Sequence, residues 1–182
     1  MKQLLLKATL LFVLTVNFAF AQQIDSVQIN EMKKVQWLTG KWKGDGWIMF
    51  GPGQKHPFSQ TETISSKLNG ILLTIEGLGI NHKSDEGKPK IAHQAFAVLS
   101  YDSKNQKFKM RAYKSDGAFV DADAEIDENG NFIWGFNHPY AGEIRFTIKQ
   151  NEKGQWHETG EVSRDKGKTW FQNFEMILNK IE

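Results

Sequence analysis

The sequence predicts an all-β protein, an antiparallel up-and-down barrel of about ten strands preceded by one short helix. Two observations support this prediction. After residue 40 the apolar residues recur with a period of two, which is typical of strands that bury one face. Short Gly-, Asn- and Asp-containing turns separate these stretches, and such loops connect antiparallel neighbours. Barrel closure would remove the two exposed edges of a ten-stranded sheet. A β-sandwich is the alternative architecture.

Residues 1–21 have the features of a cleavable secretory signal peptide. Two lysines precede an apolar run, and an A-x-A cleavage signal, Ala19 to Ala21, ends it. The run is shorter than the roughly 20 apolar residues that a bilayer span requires. We therefore expect cleavage after Ala21 and export to the periplasm or the medium. The remaining 22–182 should form one soluble domain without a membrane anchor.

Composition argues against several partners and chemistries. The leader carries two of the 23 basic residues and none of the 21 acidic ones, so the mature domain is expected to be formally neutral. Its lysines are scattered among acids, whereas nucleic-acid-binding domains concentrate basic residues on one face. The chain has no cysteine, which excludes disulfides and a thiol nucleophile. No H-x-H or H-E-x-x-H pair occurs, and no metal site is predicted.

The first predicted element is a helix over residues 26–38. Val27, Val35 and Leu38 fall at helical spacing, Asp25 or Ser26 can cap the start, and a glycine two residues after Leu38 can end it. No second helix in the sequence is long enough to cover a sheet face.

Ten strand-like runs follow the helix. They cover residues 41–50, 58–67, 71–80, 91–101, 107–114, 118–126, 131–136, 143–150, 155–163 and 169–178. Alternation within each run assigns an inner and an outer face. By this rule Ile91 in the fourth run and Trp170 in the tenth are expected to point inwards with the other apolar residues.

Polar side chains share these inner faces. The candidate ligand-binding residues are Trp42, Glu62, Glu76, His93, Trp134, Trp156, Glu158 and Gln172. Glu76 lies in a run that is apolar on both faces, so its side is undecided. A buried polar group is costly unless it has a partner, and a barrel of more than eight strands has room for a small ligand. We therefore predict binding of a small amphipathic or apolar molecule in the lumen.

Two other functions are compatible with the same residues. An enzyme could use Glu62 or Glu158 as a general base with His93 as its partner. A structural or partner-binding barrel could have a filled lumen in which these side chains and ordered waters tie the strands together. The sequence does not identify the ligand or decide between these alternatives.

Two motifs carry a family resemblance. Residues 38–46, with the sequence LTGKWKGDG, resemble the L-x-G-x-W-x-G-x-G of nitrobindin-like and DUF1579-type barrels, and their G-x-W resembles the opening of lipocalin-type barrels. The segment 163–170, SRDKGKTW, matches the Asp-box hairpin and is also similar to DUF1579-type proteins. The resemblance spans residues 38–178 and implies a ten-stranded calycin-like barrel.

The resemblance also raises haem as a cofactor, because nitrobindins bind haem through a His near the C-terminal strand. The run 169–178 contains no His, and the last one in the chain, His157, falls on an outward position. We therefore predict that this chain has no cofactor and that haem is not its ligand.

Overall fold

The computed structural model describes residues 25–51, 53–82 and 88–182. The predicted signal peptide lies outside these residues, and its cleavage stays a prediction. Within the described part of the chain, no helix is both long enough and apolar enough to cross a membrane.

One α-helix and ten strands make up the part of the chain that the structure describes. The helix α1 (Ser26–Lys33) is followed by a 3₁₀ turn (Gln36–Leu38) and by β1 (Gly40–Ile48), β2 (His56–Lys67), β3 (Leu72–Asn81), β4 (Lys90–Asp102), β5 (Lys107–Lys114), β6 (Phe119–Ile126), β7 (Phe132–His138), β8 (Gly142–Gln150), β9 (Trp156–Ser163) and β10 (Phe171–Lys180). A second 3₁₀ turn, Leu68–Gly70, joins β2 to β3.

The strands form a closed antiparallel barrel, which confirms the predicted fold class. Each strand pairs with its neighbours in the chain, and β1 closes the ring against β10. Backbone hydrogen bonds extend this closure past the last strand, since the Lys41 amide donates to the Glu182 carbonyl at 3.0 Å. Strand direction places α1 and the start of β1 at one end, which we call the closed end, and the β1–β2 and β9–β10 loops at the other, the open end.

The helix is shorter than predicted. It ends at Lys33, and the chain then forms a 3₁₀ turn to Leu38 rather than continuing the helix. The buried side chains explain the change, because Met32, Val35 and Leu38 are spaced by three and are at most 1% exposed. A 3₁₀ turn aligns side chains at this spacing. Val27, predicted on the buried face, is 53% exposed.

Two β-bulges change the faces of residues near the open end. Gly79 pairs with His93 while Ile80 pairs with Ile91, so Ala92 is an extra residue in β4. A bulge of this kind reverses the alternation beyond it. Ile91, predicted to point inwards, is therefore on the outside and 56% exposed.

The second bulge lies in β10, where Gln172 pairs with Glu161 and Phe174 pairs with Gly160. Asn173 is the extra residue. Trp170, predicted inside, lies on the outer surface, where the Arg145 guanidinium stands 4.1 Å from its ring centroid.

Candidate ligand-binding site

The inner face of the barrel is fully packed at the closed end and partly exposed nearer the open end. Trp42, Phe132 and Leu178 occupy the lower part of the inner face and are at most 2% exposed. Nearer the open end, the apolar side chains of inward parity are only partly buried: Val120, Phe136, Ile144, Phe146 and Phe174. A side chain that points into a closed barrel stays partly exposed only where the lumen is not filled by protein. The inner face therefore forms a cup with apolar walls.

Three tryptophans make the floor of this cup. The rings of Trp37, Trp42 and Trp156 meet edge to face, with centroids 5.9 to 6.5 Å apart. Such aromatic contacts are favourable beyond the area they bury. The Trp42 indole N–H donates to the Leu38 carbonyl at 2.7 Å, which fastens the 3₁₀ turn beneath the barrel. The sequence-predicted Trp42 and Trp156 are thus parts of a packed floor.

Two buried carboxyl groups stand just above this floor. Glu62 and Glu158 are each 7% exposed. Gln60 Nε2 donates to Glu62 Oε1 at 2.7 Å, and Trp156 Nε1 donates to Glu158 Oε2 at 3.1 Å. Glu62 Oε2 is buried and has no hydrogen-bond partner among the residues that the structure describes. Among the described residues no lysine, arginine or histidine forms an ion pair with either carboxyl.

Burial makes both carboxyls weak acids. Desolvation raises the pKa of Glu62 to about 7, against a smaller lowering by the Gln60 amide. Desolvation and then the nearby charge of Glu62 raise the pKa of Glu158 to about 8. The charged form of an acid is disfavoured where water is excluded and no cation compensates it. Near neutral pH the pair therefore holds at least one proton and presents hydrogen-bond donors as well as acceptors.

Glycines on the next strand make room for the Glu62 and Gln60 side chains. A Cβ atom on Gly77 would lie 2.7 Å from Glu62 Oε1, and one on Gly79 would lie 2.7 Å from Gln60 Oε1. Both distances are shorter than real Cβ contacts. The side chains of Gln60 and Glu62 in β2 thus pack on the backbone of β3 at its glycines, and Glu62 is directly opposite Gly77.

His93 is on the same inner face but at the open end of the barrel. It pairs with Gly79 and is exposed to solvent. The surrounding protein nevertheless removes water from part of the ring, and this desolvation, followed by the charge of Lys114, lowers the pKa of His93, whereas the charge of Asp116 raises it. In the described part of the chain no hydrogen bond or ion pair joins His93 to Glu62 or Glu158. The structure therefore does not assemble the predicted acid–base pair.

Trp134 lies on the wall of the lumen. Its ring stacks on Phe146 with centroids 4.7 Å apart, and its indole N–H is buried without an acceptor among the described residues. With Phe136 and Ile144 it lines a cleft of about 600 Å³. Of the eight predicted residues, it is the one that contacts this cleft.

Two predicted residues point away from the lumen. Glu76 pairs with Thr63 and is exposed on the outer surface, since its neighbour Gly77 takes the inner position opposite Glu62. Gln172 was expected inside, but the bulge at Asn173 turns it to the exposed outer face. Neither residue contributes to the inner surface.

The site also contains residues that the sequence-based set omitted. Gln60, which is 3% exposed, is the hydrogen-bond donor to Glu62. Gly77 and Gly79 form the groove that holds both side chains. The sequence contains a signal for this groove, because two glycines two residues apart in an apolar strand mark a place where another group approaches the backbone closely.

The haem arrangement implied by the nitrobindin resemblance does not fit these residues. β10 carries no His, and the histidines at inner-face register positions, His56, His93 and His138, stand at the open ends of three different strands. No group of three or more His, Asp or Glu side chains that could hold a metal ion occurs in the described ranges.

Two solved structures have the same architecture. Rv2717c from M. tuberculosis aligns with a TM-score of 0.56 and 10% sequence identity, over 83% of this chain and 97% of that chain. The S-type phycobiliprotein lyase CPES from Guillardia theta aligns with a TM-score of 0.56 and 11% identity, over 85% of this chain and 93% of that chain. No family model and no curated protein matches the chain. At these identities the likeness shows the calycin-like ten-stranded fold alone.

Proposed function

We propose that this protein binds one small, largely apolar molecule in the upper lumen of its barrel. The observation that carries the proposal is the partial exposure of Val120, Phe136, Ile144 and Phe174, which point inwards in a closed barrel. Apolar surface is seldom left in contact with water inside a concave site without a ligand to cover it. The neighbour CPES is a phycobiliprotein lyase, and a small-molecule role for this fold is consistent with that.

The polar end of the ligand is proposed to face Glu62 and Glu158, with His93 at the rim. These two carboxyls lack a cation, and a ligand carboxylate or phosphate would add a further negative charge beside them. An uncharged hydroxyl, amide or carbonyl group suits them better. The proposed ligand is therefore amphipathic and uncharged at its buried end.

A neutral fluorescent probe, N-phenyl-1-naphthylamine, tests whether the lumen binds apolar molecules. We expect saturable binding at one site, quenching of tryptophan fluorescence and a higher unfolding temperature by mass action. Ala95→Trp should abolish binding, because Ala95 points into the cup. Gln94→Trp, on the adjacent exposed outer position, is the matched control and should bind normally. Equal binding by both variants would contradict the proposal.

The role of the polar groups has its own test. Glu62→Leu or His93→Leu should weaken binding of an amphipathic ligand, and Glu62→Leu should stabilise the empty barrel by removing an unpaired buried oxygen.

The native ligand is best sought by native mass spectrometry of protein purified from its source. A mass equal to that of the bare chain in every preparation would count against a tightly held ligand.

Export, family and cofactor are part of the same proposal. We propose cleavage after Ala21, which the intact mass of the exported protein would test. Membership of the DUF1579-type family rests on the motifs at 38–46 and 163–170. Haem is proposed not to be the ligand, since β10 carries no His. Titration with haemin would refute this if it gave a sharp, stoichiometric spectrum of a His-ligated haem.

A further inference from the structure

The wall of the barrel is only partly paired between β6 and β7. Three residue pairs join these strands, all near the closed end: Ala124 with Trp134, Glu125 with Ile133, and Ile126 with Phe132. Every other pair of neighbouring strands is joined by at least six. Towards the open end, residues 119–123 of β6 and 135–138 of β7 have no register partners in each other.

Ion pairs hold the open-end part of β6 towards β5. Arg111 Nε lies 3.1 Å from Asp121 Oδ2, and Lys107 Nζ lies 2.8 Å from Asp123 Oδ2, with Lys109 on the other oxygen of the same carboxylate. These carboxylates lie on the outer face of β6, and all three cations belong to β5. None of the ion pairs found among the described residues connects β6 with β7.

Packing holds β7 towards β8. A Cβ atom on Gly135 would lie 2.3 Å from the Ile144 carbonyl oxygen, so only glycine allows the two backbones to approach this closely. Next to it, the Trp134 ring stacks on Phe146 of β8. The gap between β6 and β7 therefore has a cause on each side, since each strand is drawn towards its other neighbour.

The 600 Å³ cleft runs along the β6–β7 pair and reaches the lower part of this gap, where Asp123, Gly135 and Phe136 line it. Its lining includes Trp134 and Phe136 from the inner face and Ile133 and Trp170 from the outer face. Residues of both faces line one cleft, which is the arrangement expected of an opening through the side of the barrel.

The chemistry of this side opening favours an uncharged ligand. The cations of its lining are paired, Lys107 with Asp123 and Arg145 with Glu161 at 2.8 Å each, and Lys34 with Glu31 at 2.6 Å. The Arg145 guanidinium also lies over the Trp170 ring. The acidic side chains of Glu125 and Glu143 line the cleft as well and disfavour an anionic ligand. Between these groups the lining is aromatic and aliphatic.

We propose that the β6–β7 gap is the route by which an uncharged, largely apolar ligand enters and leaves the lumen. This inference rests on the proposed function, because it presupposes a ligand in the lumen. Passage through the wall would let the ligand move along aromatic side chains, from Trp170 on the surface to Trp134 and Phe136 inside. Closing the gap should then slow entry and release together and leave the affinity almost unchanged.

The chain has no cysteine, so an introduced pair can close the gap cleanly. Continuing the β6–β7 register places position 121 opposite position 137, and both side chains are exposed. The test variant is therefore Asp121→Cys/Asn137→Cys, bridged by oxidation or, if the thiols are too far apart for a disulfide, by a dimaleimide. The control is Lys43→Cys/Thr61→Cys, which bridges a register pair in the fully paired β1–β2 wall.

Entry and release of the naphthylamine probe are measured by stopped flow in the open and bridged forms. We expect the bridge at 121 and 137 to slow both rates by at least about tenfold with little change in Kd, and the control bridge to change neither. Unchanged rates in the bridged form would overturn the proposal. Absence of probe binding in the unbridged form would instead refute the proposed function.

A second variant avoids any dependence on folding of the double mutant. Asn137→Cys is labelled after folding with a maleimide that carries a bulky polymer, so that the label obstructs the outside of the gap. Thr61→Cys, labelled in the same way on the far wall, is the control. Slower exchange is expected with the label at 137 alone, and equal exchange in both would overturn the proposal.

Discussion

At the scale of single residues, the unusual feature is a pair of carboxyl groups folded away from water without a cation. Glu62 and Glu158 keep their protons to a higher pH in the folded chain than in the unfolded one, since their pKa values rise from an ordinary 4.5 to about 7 and about 8. The folded state then binds more protons than the unfolded state between these limits. Stability must fall as the pH rises through this interval.

This linkage predicts that the protein is more stable at pH 5 than at pH 9. The contribution, roughly 3 kcal/mol for Glu62 and roughly 5 kcal/mol for Glu158, is fully present below pH 4.5 and lost above the folded-state pKa. Urea unfolding from pH 5 to pH 9 measures the slope. Glu62→Gln/Glu158→Gln should flatten it, whereas Glu152→Gln, on an exposed turn, should not. A wild-type stability that rises over this interval would contradict the assignment.

The groove beneath Glu62 makes a second prediction at this scale. Gly77→Ala should destabilise the protein by about 1–3 kcal/mol, because the new methyl group meets the Glu62 carboxyl. Gly51→Ala is the control, since a Cβ there meets nothing within 4 Å. In a Glu62→Ala background the cost of Gly77→Ala should shrink, and a double-mutant cycle measures this coupling. Additive costs would show that the two residues are not in contact.

At the scale of elements, the Asp-box turn between β9 and β10 is a hairpin organised by one carboxylate. Asp165 accepts hydrogen bonds from the Ser163 hydroxyl at 2.9 Å, the Thr169 amide at 2.8 Å and the Thr169 hydroxyl at 2.6 Å. These bonds, the Thr169 side chain first, lower the pKa of Asp165 to about 2. The motif therefore has a structural role here, as a turn of this composition would suggest.

Asp165→Asn should lower the unfolding temperature at neutral pH. The carboxylate is charged and bonded above its ordinary pKa of 3.8, and this contribution disappears as the pH falls towards about 2. The difference between wild type and variant should accordingly be constant above pH 4 and vanish near pH 2. Lys168→Ala, an exposed change in the same turn, is the control. A difference that persists at pH 2 would mean that the charge is not responsible.

Elements also show where reasoning from the sequence reached its limit. The strand runs were predictable because alternation and turns act locally, and Glu62, His93 and Glu158 take the inner positions that their parity predicts. The inner and outer positions of Gln172, Trp170 and Ile91 were predicted wrongly because each residue is separated from the rest of its strand by a bulge. One extra residue reverses the side on which every side chain beyond it lies. The helix was predicted to be longer than it is. In so short a segment, apolar residues spaced by three, which suit a 3₁₀ turn, cannot be distinguished from residues spaced by four, which suit an α-helix.

At the scale of the whole molecule, the ten strands form a closed ring without a free edge. β10 supplies the partners of both β1 and β9, so its loss would leave two unpaired edges. A chain ending at residue 170 should therefore lack cooperative unfolding and should aggregate. A chain ending at Lys180 keeps all ten strands and is the control. Cooperative thermal unfolding of the shorter chain would show that nine strands suffice.

The strands follow one another around the barrel in the order of the chain. The pair of β1 and β10 is the one that joins strands that are not consecutive in the chain. The Lys41 amide and the Glu182 carbonyl are hydrogen-bonded, so the C-terminus lies beside the start of the first strand. Circular permutation is therefore open to this fold. A chain that begins at Gly130, in the exposed β6–β7 turn, and continues from residue 182 through a flexible linker to residue 26 keeps every ladder of the barrel. Its new ends would lie in the turn between β6 and β7, the strand pair with the fewest register partners. Permutation therefore offers a way to weaken the pairing of β6 with β7 without substituting any side chain.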